Sequence, residues 1–186
     1  MTQLDWIEFA IEYRESVDVL LDEKTWRRNF TVFPTIFLFR HYIELRLKEI
    51  TLYNWEYLEI SQPFPKGHDL YELWKICKKA MMKTDKLVDP QFAESQNYIK
   101  EIIQAYNVIE DDLKRFAEVD PDSQHSRYPV DSQGNPIAVD KKLLIELQHE
   151  LPELVERIVY SLDGISTGIH TILQDKYDAL SQQKHP

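Results

Sequence analysis

Apolar side chains recur at helical spacing along most of this chain. Leu4, Ile7, Ile11 and Phe9, Tyr13, Val17, Leu20 set out a first amphipathic segment that ends near Asp22. Pro34 stands where a first-turn proline is tolerated and opens a long segment through about Tyr53. At ~1.5 Å per residue that segment is roughly 30 Å long, the height of a small domain. Ile36, Phe39, Ile43, Leu47 and Ile50 form one stripe on it, and Leu38, Leu45 and Leu52 a second. A helix apolar on two sides is expected at the centre of a bundle.

Pro63, Pro65 and Gly67 interrupt the period and predict a loop. Asp69 then suits the positive end of a shorter helix with Leu70, Leu73, Trp74 and Cys77 on its core face. After Asp89-Pro90 a fourth helix is predicted by Ile99, Ile102, Ile103, Tyr106, Ile109, Leu113 and Phe116. The last helix is the longest, running from Leu151 almost to Leu180, with Pro152 at its start or at a kink and a frayed tail beyond. Between these helices, about 119–140, Tyr128-Pro-Val130 and Pro136-Ile-Ala-Val139 flank the turn-forming Asp131-Ser-Gln-Gly-Asn135. That pattern predicts a small β-hairpin insert packed on the bundle end. The fold class expected is therefore all-α, an antiparallel bundle of four to five long helices in a single domain, 1–186.

Composition narrows the setting. At 186 residues, 43% of them hydrophobic, the chain is long enough to bury a core without metals or disulfides. The lone cysteine, Cys77, excludes an intrachain disulfide and suits a reducing cytoplasm. No basic-then-apolar leader opens the chain, and the most apolar run, Phe30 to Phe39, is too short to span a bilayer. A soluble cytoplasmic protein is expected. The net charge of −10 argues against indiscriminate nucleic-acid binding but leaves room for a local basic pocket.

Against this apolar background, Phe39-Arg-His-Tyr-Ile-Glu-Leu-Arg-Leu-Lys48 stands out. Arg40, His41, Glu44 and Lys48 project from neighbouring positions of one helical face. Buried charges need partners, so the cluster is either a polar network tying helices together or the floor of a site. In the second case Arg40 and Lys48 suit a phosphate, and His41 suits proton transfer. His68 at a helix start and Arg127-Tyr128 before the hairpin join the cluster if the fold brings them near. Ser161, Gly164, Gly168 and Thr171 make a small-residue stripe on the last helix that admits a close neighbour, either within the chain or from a second subunit.

Other chemistries find little footing. Glu146-Leu-Gln-His149 has the spacing of di-iron bundles but occurs once, so no metal is expected. The chain has no Gly-x-Ser-x-Gly elbow, phosphate-cradling glycine loop or Cys-x-x-Cys pair, and no cofactor is expected.

The run Phe39 to Lys48, then Gly67-His-Asp-Leu70 before Leu73-Trp74, then Arg127-Tyr-Pro129, resembles HEPN-domain proteins, in particular the bacterial HEPN-like proteins. The resemblance implies a helical bundle that usually dimerises, with nucleotide or RNA as ligand. It further implies toxin–antitoxin or phage-defence settings and a nucleotidyltransferase-like partner protein. Active ribonucleases of that group carry Arg, four to six residues, then His. No arginine here has a His at that spacing, and adjacent Arg40 and His41 diverge by about 100° on a helix.

The leading expectation is therefore a homodimeric HEPN-like module without that ribonuclease motif. In it Arg40, Lys48 and Arg127 contact a nucleotide or RNA phosphate, with His41, Glu44, His68 and Tyr128 around them. Two alternatives stand beside it: an atypical metal-independent ribonuclease using His41 or His68, and a purely structural or interaction protein.

Overall fold

The structure, a computed structural model, describes residues 6–22, 26, 31–88, 108–117, 133–135 and 141–183. The described helices are α1 (Trp6–Leu21), α2 (Val32–Tyr57), α3 (Leu70–Leu87), α4 (108–117) and α5 (Lys141–Gln183). The chain is an all-α bundle, and none of its described helices is long and apolar enough to cross a membrane. No strand occurs among the described residues. The flanks of the expected hairpin, and with them Arg127 and Tyr128, lie outside those residues. Its turn is described at 133–135, where Gly134 takes φ +84°, a conformation that L side chains rarely adopt.

Helix α2 is the axis of the bundle. Every residue from Tyr42 to Thr51 is buried, because α1, α3 and α5 all pack on it. Its predicted stripe of Ile36, Phe39, Ile43, Leu47 and Ile50 is fully buried, and Leu38 and Leu52 are half-buried. Leu70, Leu73, Trp74 and Cys77 from α3 complete this core, as do Ile109, Leu113 and Phe116 from α4. The edge-to-face pair Phe39–Phe116, 5.3 Å between centroids, joins α2 to α4.

Helix directions depart from the sequence expectation. Tyr42 and Arg46 meet Asp163, Tyr53 meets His170, and Glu56 meets Tyr177, so α2 and α5 run parallel. His68 lies at Glu44 and the Cys77 thiol at Thr51, so α3 also runs with α2. By contrast α1 opposes α2, since Trp6 stacks on Phe64 beside Lys48 whereas Tyr13 meets His41. The bundle is mixed rather than antiparallel throughout. The physical reason is the stretch 58–69, long enough as extended chain to return along α2 before α3 starts.

Helix ends follow local chemistry. Asp69 caps α3 by accepting from the Glu72 amide at 2.9 Å, as the Asp-x-x-Glu spacing suggests. α2 ends in a left-handed residue, Glu59 at φ 54°, with Ile60 N donating to Trp55 O at 2.9 Å. α5 begins at Lys141, earlier than expected, and carries Pro152 inside. It continues to Gln183, past the predicted fraying point.

Candidate functional site

The predicted cluster assembles in part, around a carboxylate buried on α2. Glu44 accepts from Lys48 Nζ at 2.7 Å, and His68 Nδ1 lies 2.9 Å from the same oxygen. Arg40 Nη2 donates to the His68 carbonyl at 2.5 Å. Arg40, Glu44 and Lys48 are buried, whereas the His68 side chain is 65% exposed. Lys48 lies 5.4 Å from the Phe64 ring centre, and Trp6 stacks on the same Phe64 ring at 5.1 Å between centroids. The returning 58–69 segment is thus fastened to α2 by charge, backbone and aromatic contacts. Burial alone would raise the Glu44 carboxyl, but the Lys48 ammonium and His68 outweigh it and hold it below its ordinary 4.5.

His41 does not join this group. It packs edge-on to Tyr13 at 4.4 Å between centroids and faces α1. Adjacent residues on a helix point about 100° apart, so Arg40 and His41 serve different neighbours.

A second and larger network was not legible as a site in the sequence. Asp163 of α5 accepts from Tyr42 OH at 2.8 Å, Arg46 Nη2 at 2.6 Å and Arg14 Nη1 at 2.7 Å. Arg46 Nη1 also donates to Glu49 at 2.7 Å, and Ser166 Oγ donates to the other Glu49 oxygen at 2.6 Å. Glu49 is fully buried, so these donors replace its water. Burial alone would lower the Arg46 guanidinium pKa, and the Glu49 carboxylate beside it more than reverses this. The Tyr42 hydroxyl is pushed up, first by burial and then by the Asp163 charge. His170 borders the network, its Nε2 3.6 Å from Glu49 and its ring 4.0 Å from that of Tyr53. The missed signal was a polar stripe, Tyr42, Arg46, Glu49 on α2 facing Asp163, Ser166, His170 on α5, each set at helical spacing.

The remaining candidates fall elsewhere. Gly164 is exposed, and a Cβ placed there meets nothing within 4 Å, whereas Gly168 is buried. Cys77 is a buried core thiol, pushed up to about 12 by burial, with a Thr51 hydrogen bond opposing and Glu49 adding to the shift. Glu146 and His149 are exposed, and no group of three or more metal-ligating side chains occurs among the described residues. A hollow of ≈ 150 Å³ opens between Tyr57, Ile172, Lys176 and Leu180, away from both charge networks.

Chemically, the two networks resemble braces more than a reaction centre. Each carboxylate already accepts from cations or hydroxyls at hydrogen-bond distance, and water reaches the networks at His68, at the His170 edge and at the Arg14–Asp163 pair. No family model, curated protein or solved structure matches this chain.

Proposed function

We propose that this chain is a HEPN-like helical module that acts by binding and assembly, without catalysis, and that the charges on α2 hold its neighbours in register. One observation supports this most. Glu44 and Lys48 are both buried and bonded to each other at 2.7 Å, so a ligand anion at Lys48 has to displace an existing carboxylate in a desolvated setting. Arg40→Ala tests the reading. The expected result is a lower melting temperature, because the His68 carbonyl loses its donor, with unchanged titrations against a panel of nucleotides and short RNAs. Lost RNA affinity at an unaltered melting temperature would overturn it.

A second reading is favoured by the exposure of His68. Its ring is presented to solvent while Nδ1 is held on Glu44, with Arg40 and Lys48 behind it. That arrangement suits a nucleotide or RNA phosphate at the lip of the 58–69 segment, in a toxin–antitoxin or phage-defence setting with a nucleotidyltransferase-like partner. Arg127 and Tyr128, which lie outside the described residues, belong to this reading as further proposed ligand contacts. His68→Ala would then weaken phosphate-ligand binding by roughly tenfold, the loss of one charge-assisted contact. Equal affinity in variant and wild type would remove it. Ribonuclease action through His41 or His68 has less support, since His41 is engaged with Tyr13.

A further inference from the structure

The outer faces of α1 and α3 carry opposite charge in matched patterns. Exposed on α3 are Lys75, Lys79, Lys83 and Lys86, with Ile76 and Met82 among them. This helix has five lysines against Glu72 and Asp85, in a chain whose net charge is −10. Exposed on α1 are Glu8, Glu12, Glu15 and Asp18, with Ile11 and Val19 among them. Both sets advance in steps of three and four, so each forms one continuous stripe. Ile11 is 40% exposed, Val19 67%, Ile76 39% and Met82 49%, which gives both stripes an apolar component as well as charge.

The helices that carry these stripes pack on different halves of α2. Tyr13 against His41 sets α1 beside the N-terminal half of α2. Cys77 against Thr51 sets α3 beside the C-terminal half. The two helices flank the same 58–69 segment, since Trp6 stacks on Phe64 and Asp69 caps α3. A two-fold axis perpendicular to α2 near its middle exchanges those halves. In the dimer inferred below, that axis sets α1 of one copy on α3 of the other, twice, and closes the assembly.

We propose that this chain forms a two-fold homodimer in which the acidic face of each α1 docks on the basic face of the partner's α3. Charge complementarity selects the pairing and its register, and the interleaved apolar side chains supply the area removed from water. The Gly164 stripe on α5 lies outside this interface.

Charge reversal on the full-length chain tests the pairing. Lys79→Glu with Lys83→Glu sets acidic side chains at the middle of both stripes, and Glu12→Lys with Glu15→Lys sets basic ones there. All four positions are exposed, and matching circular dichroism melts confirm that the variants fold. Sedimentation velocity across micromolar concentrations should show a wild-type dimer that weakens as salt rises. Each double variant alone should associate roughly tenfold more weakly or worse, and an equimolar mixture of the two should recover dimer. A monomeric wild type, a double variant that associates like wild type, or a mixture that stays monomeric would each overturn the proposal. Loss of dimer in neither variant, together with labelled single-stranded RNA retained by wild type but not by Lys79→Glu/Lys83→Glu, would assign the basic face to nucleic acid instead.

Discussion

At the scale of single residues, Glu44 decides whether the predicted cluster is stable. Its carboxylate is the common acceptor for Lys48 and His68, and its pKa in the folded chain lies below the ordinary 4.5. The pairing therefore contributes fully above that value and is lost as pH falls through the lower folded one. Glu44→Gln leaves Lys48 buried beside a neutral amide, a change expected to cost about 3–5 kcal/mol at neutral pH. The difference between wild type and variant should shrink as pH drops below about 4.5, because acid neutralises the wild-type group too. Urea unfolding at pH 7 and near pH 3 measures this. A difference that stays constant across that range would show that Glu44 is not the titrating partner. The sequence identified Arg40, Glu44 and Lys48 as neighbours because helical spacing is local. It did not give their pairing, since the sequence allows Glu44 to face either Arg40 or Lys48.

At the scale of elements, the end of α2 illustrates a compromise. Glu59 holds the left-handed position that glycine fills without strain, and its side chain pairs with Lys176 at 2.7 Å while 78% exposed. An ion pair so exposed contributes little, so Glu59→Gly is expected to raise the melting temperature by about 2–4 °C. Glu59→Ala, which removes the pair but keeps the strained backbone, should show no such gain. A fall in both would mean that the Lys176 contact outweighs the backbone. Lys176 Nζ also reaches the Tyr57 carbonyl at 2.7 Å and so keeps a partner in either variant. The Asp69 cap was readable beforehand because a capping motif lies within four residues. The start of α5 was not, because Pro152 reads as a boundary while packing carries the helix through it.

At the scale of the whole molecule, Asp163 is the junction of three helices. It receives Arg14 from α1 and both Tyr42 and Arg46 from α2, while itself belonging to α5. Asp163→Ala takes the acceptor from both Arg46 Nη2 and the Tyr42 hydroxyl, leaving Arg46 only its Glu49 side, and should destabilise the chain by about 3 kcal/mol. Arg14→Ala, at a side chain 42% exposed, should cost no more than about 1 kcal/mol. Chemical denaturation of both variants distinguishes a junction from a set of independent surface pairs. Equal small losses would argue for the latter.

The sequence by itself determined that this chain is helical, which faces of its helices are apolar, and that charges sit amid the apolar positions of α2. Those properties depend on spacing within a few turns, and a periodic pattern records them directly. Tertiary structure alone decided that α2, α3 and α5 run in the same direction and that Asp163 meets Arg14 and Arg46. It also supplied Tyr13 as the neighbour that His41 meets. These outcomes depend on how the 58–69 segment returns along α2 and on contacts between residues more than a hundred positions apart, such as Arg46 and Asp163. Local periodicity carries no term for either, because many helix arrangements bury the same stripes equally well.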